Sequence, residues 1–201
     1  MFLGIDCSGV AASLCLLGSD NHEFYQHSDT PRQADVIFSL LEKLFQDAGI
    51  TQHDLTAIGV ITGPGSFTGI RVGLSLAQGL ADGLQIPVYG LDGFSALRGK
   101  TENALVVLES KRPELYVQHG TDAPQMLLPD EILHYTGNGE MALLHNLIPP
   151  HPLASMLRGQ TGNTMAMIAA RHALQKFQAN SLPEPLNPFY VREADAKSNA
   201  I

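Results

Sequence analysis

A run of glycines between an apolar segment and a helical segment is the place in this sequence where chemistry is easiest to imagine. The run is Gly63-Pro64-Gly65-Ser66-Phe67-Thr68-Gly69, and a strand-to-helix turn of this kind exposes backbone N–H groups that can bind an anion. It is not a P-loop, because Ile70-Arg71 follow where that motif needs Lys and then Ser or Thr. It is not the dinucleotide fingerprint either, because its three glycines are spaced one residue too widely. The bare pattern favours a structural tight turn over a phosphate site.

Asp6 is the second candidate, because it ends a short apolar segment and precedes a Ser-Gly turn. Such a carboxylate can orient a metal-bound nucleotide, or it can cap the turn through its own side-chain oxygen. The sequence favours capping. Together with Gly63, Gly65 and Ser66, Asp6 makes up a weak, vestigial set of candidate nucleotide-binding residues.

Other catalytic chemistry finds little support in the residue spacing. Ser66 and Cys7 are the candidate nucleophiles. No histidine lies near Ser66 in the sequence, and the residues around it do not form the Gly-x-Ser-x-Gly pattern of a nucleophile elbow. The eight histidines show neither HxH nor HExxH spacing, which speaks against a zinc site. Cys7 and Cys15 lie in short apolar runs and are expected to be reduced, buried thiols.

Composition and charge exclude several classes of protein. The chain has 201 residues, of which 44% are hydrophobic and 16% charged, so a disordered chain is not expected. A net charge of −8 with scattered basic residues speaks against a protein that binds nucleic acid by itself. The apolar runs are far shorter than the roughly 20 residues of a membrane span, and no signal-peptide pattern is present. We therefore expect a cytoplasmic protein with no membrane contact.

Hydrophobic periodicity predicts the elements that would position these residues. Alternation predicts a hairpin of strands over 2–7 and 12–17, and a 3.6-residue period predicts helices over 33–48 and 69–84. The other predicted elements are strands at 22–27, 57–62, 86–89, 104–109, 115–119 and 132–136, helices at 92–98 and 163–178, and a loop over 149–162. A polar break at 99–103 divides this α/β chain into two similar small domains, 1–99 and 100–201.

The predicted helix over 69–84 has an unusual composition. Its polar side chains share one narrow stripe, and every other position is apolar or glycine; the stripe consists of Arg71, Ser75, Gln78 and Asp82. A helix that is apolar nearly all round must be covered on more than one side, and one sheet covers only one. Tight packing within the domain and coverage by another subunit both explain this, and we favour the second.

A partner interface can be predicted from this helix and the one before it. The predicted interface residues are Leu40, Leu44, Ile70, Val72, Gly73, Leu76, Ala77 and Leu80. If they form a docking surface, a bulky charge at Gly73 or Ala77 should abolish partner binding and leave the monomer folded.

Three segments, in this order, resemble the TsaB family, also called YeaZ. They are Gly4-Ile5-Asp6-Cys7-Ser8, the glycine run continued through Ile70-Arg71-Val72-Gly73, and Pro188-Phe189-Tyr190-Val191-Arg192. The resemblance implies the actin-like ATPase (ASKHA) fold of sugar kinases and Hsp70, with two related small domains of which the second is trimmed. It also implies a non-catalytic scaffold or activator of the bacterial complex that adds threonylcarbamoyl to the adenosine beside the anticodon of tRNA.

The same resemblance implies a set of partners. The paralogue TsaD would be the catalytic subunit, the ATPase TsaE would join the complex, and the chain alone would form a homodimer. Contact with tRNA would be indirect, and the chain would have no cofactor of its own, with ATP entering only through the complex. TsaD holds a metal through a pair of histidines, and the matching stretch 89–97 contains none. Two alternatives stay open, a stand-alone ATP-binding enzyme of the sugar-kinase type and a peptidase-like protein.

Overall fold

Two β-sheets with helices packed against them make up the described part of the chain. The structure is a computed structural model that describes residues 1–28, 30, 32–110, 112–136, 142–145 and 164–191. Each sheet mixes parallel and antiparallel strands, which agrees with the predicted α/β class. The division into domains 1–99 and 100–201 stays a prediction. The loop predicted over 149–162 and the last residue of the final motif, Arg192, lie outside the described residues.

The first sheet is built from the N-terminal half of the sequence. Its strands are β1 (Phe2–Asp6), β2 (Ser13–Leu17), β3 (Glu23–His27), β4 (Ala57–Ile61) and β5 (Val88–Leu91), in the order β3-β2-β1-β4-β5. The first three form an antiparallel meander, and β4 and β5 continue the sheet in parallel with β1. All five strands were predicted, the last of them two residues too early.

Two long helices, α1 (Gln33–Ala48) and α2 (Phe67–Leu84), cover one face of this sheet. α1 ends at Gly49 as predicted, and the capping box of Thr51 and Asp54 forms a single 3-10 turn at Gln52–Asp54. α2 begins two residues before its predicted start, because the Ser66 hydroxyl accepts a hydrogen bond from the Gly69 N–H (3.3 Å) and caps the helix. The apolar stripe of α1 packs against β2 and β3, and that of α2 packs against β1, β4 and β5.

The second sheet and two short helices follow. α3 (Gly93–Arg98) leads into β6 (Leu105–Leu108), β7 (Leu115–His119), β8 (Gln125–Leu127) and β9 (Ala142–His145), which pair in the order β8-β7-β6-β9, and α4 (Pro129–Thr136) connects the last two. The predicted strand over 132–136 is wrong, because this segment belongs to α4. The helix begins at Pro129, and Asp130 and Glu131 place negative charge in its first turn, where it is favourable.

The last helix, α5 (Met165–Gln178), packs against the other face of the first sheet. A Cβ atom built onto Gly4 or Gly59 falls under 3.0 Å from the carbonyl oxygens of Ala166 and Ala169 respectively. Glycine on the strands and alanine on the helix therefore allow the two backbones to touch. The first sheet is thus covered on both faces, with α1 and α2 on one side and α5 on the other. Among the described residues, no helix combines the length and apolar character needed to cross a bilayer.

The two cysteines are buried thiols, as predicted, and lie in core clusters on opposite faces of the first sheet. Burial, with a smaller effect from Asp6, raises the pKa of Cys7 well above its usual value, and burial with a smaller effect from Glu23 raises the pKa of Cys15 to about 12. At pH 8 we expect both thiols to react with an aromatic disulfide reagent at least about 100-fold more slowly in the native chain than in urea. Fast labelling of either thiol without denaturant would contradict the packing.

The raised cysteine pKa values also fix the direction of a pH effect on stability. Above pH 9, the ordinary thiol value, the unfolded chain loses these protons while the folded chain retains them. The contribution of the two cysteines to the free energy of unfolding is therefore complete below pH 9 and declines as the pH rises further. Urea denaturation at a series of alkaline pH values measures this decline, and Cys15→Ala should reduce its slope.

Candidate functional site

The four residues proposed for nucleotide binding lie close together at the carboxyl ends of β1 and β4, which are neighbouring parallel strands. Asp6 is buried, and its Oδ1 accepts hydrogen bonds from the Ser8 N–H (2.8 Å) and the Ser8 hydroxyl (2.6 Å). Asp6 therefore caps the turn after β1, which confirms the capping interpretation. A role of the four residues in nucleotide binding stays a prediction.

The glycine run packs directly onto that same turn. The Ser66 N–H donates to the Ser8 carbonyl (2.7 Å), and a Cβ on Gly65 or Gly69 would overlap the carbonyl oxygens of Ser8 and Cys7. Two N–H groups that an anion would need, those of Ser66 and Gly69, are thus used within the chain. The arrangement is that of a structural tight turn. Across the described part of the chain, no three His, Cys, Asp or Glu side chains are grouped so as to hold a metal ion.

A groove of about 600 Å³ lies between α1 and α2. Its lining is apolar apart from two small hydroxyl side chains and one cation, Arg71. Phe38, on α1, leaves 65% of its surface exposed at this groove. No residue that the structure describes, apart from the helix's own backbone, lies within 4 Å of a Cβ built onto Gly79, which leaves space at this point of the groove. The full lining is Ala34, Ile37, Phe38, Phe67, Thr68, Arg71, Val72, Ser75, Leu76, Gly79 and Leu80. An open apolar groove between two helices has the shape that a partner helix can fill.

The eight predicted interface residues divide into two groups in the structure. Leu40, Val72 and Leu80 are partly exposed, whereas Leu44, Ile70, Gly73, Leu76 and Ala77 are buried within the chain. Ala77 has no exposed surface, and a Cβ on Gly73 would already contact Cys7 at 3.4 Å. A bulky charge at Gly73 or Ala77 would enter the core, so the expectation that the monomer stays folded is wrong. The docking role of this surface stays a prediction, now centred on the groove.

Sequence reasoning missed several residues that line the groove, above all Phe38 on α1 and Phe67 at the start of α2. Phe38 lies next to the apolar stripe of α1, between Ile37 and Ser39, and a large aromatic residue outside the stripe is a signal that could have identified it. The polar stripe of α2 is exposed, and along it the Gln78 amide donates to Asp82 (2.7 Å). Arg71 and Ser75, the first two residues of that stripe, form part of the groove wall.

The chain matches a family model, relatives found by sequence and solved structures. Residues 31–124 match the family model for TsaD, tRNA N6-adenosine threonylcarbamoyltransferase. An uncharacterized protein of Mycobacterium tuberculosis is 33% identical over 166 residues, which cover 77% of this chain and 72% of that protein. The tRNA threonylcarbamoyladenosine biosynthesis protein TsaB of Haemophilus influenzae is 32% identical over 57% of this chain and 51% of that protein. The solved structure of YeaZ from Pseudomonas aeruginosa superposes with a TM-score of 0.63 at 19% identity, covering 94% of this chain and 98% of that one.

Proposed function

This chain belongs to the TsaB (YeaZ) family and has its actin-like, ASKHA-type fold, and from that premise we propose that it acts in tRNA threonylcarbamoyladenosine biosynthesis. Within that process we propose the role of a scaffold or activator that binds a TsaD-type transferase. The support for the process is the name of the curated relatives. The support for the role is the groove between α1 and α2.

The groove is the observation that carries this proposal. A side chain such as Phe38, two-thirds exposed in the isolated chain, gains about 1–2 kcal/mol when a partner buries the rest of it. Leu80 and Val72 add further apolar surface on the facing helix. Exposure of this apolar surface to water costs free energy, and a docked protein that covers the surface removes that cost.

The choice of a TsaD-type partner has support in the match between residues 31–124 and the TsaD family model. That segment contains both α1 and α2, so a TsaD chain is expected to contain a similar pair of helices. Two similar helix pairs can associate face to face with approximate twofold symmetry. We propose that the same geometry accounts for a homodimer when TsaD is absent, with TsaD displacing the second copy.

The proposed scaffold role also fits the contacts made by the candidate nucleotide-binding residues and by the candidate nucleophile Cys7. Asp6 caps a turn, the Ser66 and Gly69 N–H groups of the glycine run donate within the chain, and Cys7 is buried with a raised thiol pKa. We propose further that TsaE joins the complex in the cytoplasm and that TsaD supplies the contacts to tRNA. The net charge of −8 suits a subunit that binds protein rather than phosphate.

Co-expression with the TsaD paralogue of the same organism tests the proposal. The chain should co-purify with tagged TsaD, and light scattering should report one copy of each protein, with the homodimer lost on mixing. If the two purified proteins elute separately at micromolar concentrations, the proposed partner is wrong. Calorimetry with ATP on the isolated chain tests the sugar-kinase alternative, for which binding below 1 μM would speak, since many specific ligand sites reach about that affinity.

A further inference from the structure

We infer that Arg71 is the residue that determines partner specificity in the groove, and that it pairs with an aspartate or glutamate carboxylate of the docked TsaD-type chain. This inference rests on the proposed function, because it concerns the same groove. The final sequence motif has no role in the proposed function, and its Tyr190 contacts Arg71.

Arg71 is held in position by two aromatic rings. Its guanidinium carbon lies 3.9 Å from the centroid of the Phe67 ring, and its Nε–H donates to the Tyr190 hydroxyl at 3.3 Å. The Tyr190 ring in turn stacks on Phe67, with centroids 5.0 Å apart and an angle of 28° between the planes. A guanidinium fixed in this way loses less conformational freedom when it binds an anion than a free side chain does.

Tyr190 is itself held by a segment that returns from α5 to the start of α2. Leu186 and Tyr190 pack on the core beneath α1 and α2, and the Phe189 N–H donates to the Thr62 carbonyl (2.8 Å). The Phe189 ring also packs edge-on against Phe94 at 6.2 Å. The motif Pro188-Phe189-Tyr190-Val191 is therefore fixed against the core, and this places the Tyr190 side chain at the wall of the groove.

The positive charge of Arg71 has no counter-charge in the described part of the chain. None of the ion pairs formed there includes Arg71, and Arg71 is the one charged residue among those that line the groove. Its side chain is exposed and its Nε–H donates to Tyr190, which leaves the two terminal nitrogens without a hydrogen-bond partner among the described residues. These nitrogens are the donors that bind a carboxylate in a bidentate manner.

A docked partner would remove water from this cation. An unpaired guanidinium in an apolar interface carries a large desolvation cost, so the partner that covers the groove must bring a negative group to this point. A carboxylate matches the planar donors of arginine, and one placed here also rejects partners that lack it. A phosphate of tRNA would satisfy the same charge, but a chain of net charge −8 repels the polyanionic tRNA backbone more strongly than one carboxylate on a partner protein.

The test compares Arg71→Gln and Arg71→Lys in calorimetric binding to purified TsaD at low and high salt, with Lys100→Gln as a control for loss of one positive charge. Lys100 lies in the exposed turn after α3, away from the groove. Arg71→Gln should weaken binding by about 30-fold or more and flatten its salt dependence, because a desolvated pair is lost. Arg71→Lys should recover part of the affinity and all of the salt dependence, and Lys100→Gln should change neither.

The positioning role of Tyr190 has its own readout. Tyr190→Phe keeps the ring and removes the hydroxyl, so it should weaken binding about threefold to tenfold in the wild-type background and have no effect in the Arg71→Gln background. If Arg71→Gln binds TsaD as tightly as the wild type, or lowers only tRNA retention by the complex, the inference is overturned while the proposed function stands. If the wild-type chain fails to bind TsaD, the proposed function itself fails.

Discussion

Replacement of Phe38 by glutamate is expected to weaken binding to TsaD by about 100-fold or more. Phe38 is the one exposed large hydrophobic side chain among the residues that line the groove, and it lies at the α1 wall. A buried aromatic residue near the centre of an interface contributes the kind of energy that alanine scanning finds at hot spots, and a carboxylate there adds a desolvation cost. The isolated variant should fold normally, because the wild-type ring already contacts water over 65% of its surface.

The matched control is Leu128→Glu, which places the same charge at an exposed leucine outside the groove, just before α4. Titration calorimetry gives the affinity of each variant for TsaD, and circular dichroism during heating gives the melting temperature. Equal weakening by both variants would show a general effect of charge on binding. Unchanged binding by Phe38→Glu would show that the groove is not the docking site for TsaD.

Gly59→Ala is expected to lower the free energy of unfolding by about 3 kcal/mol or more. The added methyl group would overlap the Ala169 carbonyl at the point where α5 rests on β4. Because that obstacle is backbone rather than a flexible side chain, relief requires α5 to move away from the sheet. The core cluster around Ala166, Ala170 and Phe2 would then lose contacts as well.

Gly79→Ala is the matched control, since it adds the same methyl group at a helical glycine where no other described residue would lie within 4 Å of it. It should raise the free energy of unfolding by about 0.5–1 kcal/mol, because alanine favours the helix interior. Urea denaturation of both variants gives the two values. Similar stability of Gly59→Ala and the wild type would mean that α5 does not contact β4 as closely as described.

Local patterns predicted most of the elements correctly, because their signals lie within a few residues. The β1–β2 hairpin follows from alternation, and both long helices follow from a 3.6-residue stripe with a cap or stop at one end. The prediction of a strand over 132–136 was wrong because the deciding residues lie outside that segment. A short apolar run fits strand and helix alike, and the deciding signals, Pro129, Asp130 and Glu131, stand before the run.

Contacts between distant residues could not be predicted in this way. Gly4 and Gly59 are glycine because α5 touches the sheet at Ala166 and Ala169, more than 100 residues away in sequence. The interface prediction was incomplete for the same reason. A helix that is apolar nearly all round must be covered, but only the packed structure separates Ala77, which faces the sheet, from Leu80, which faces the groove.

The most direct test of the whole account is a tRNA modification assay with purified components. TsaD and TsaE of the same organism are supplied with unmodified tRNA and the threonylcarbamoyl donor, and the modified nucleoside is quantified by mass spectrometry. We expect modification with the wild-type chain and with Leu128→Glu, and loss of most of it when the chain is omitted or carries Phe38→Glu. Full modification in the absence of the chain, or with Phe38→Glu, would contradict the claim that the groove between α1 and α2 holds TsaD in its active form.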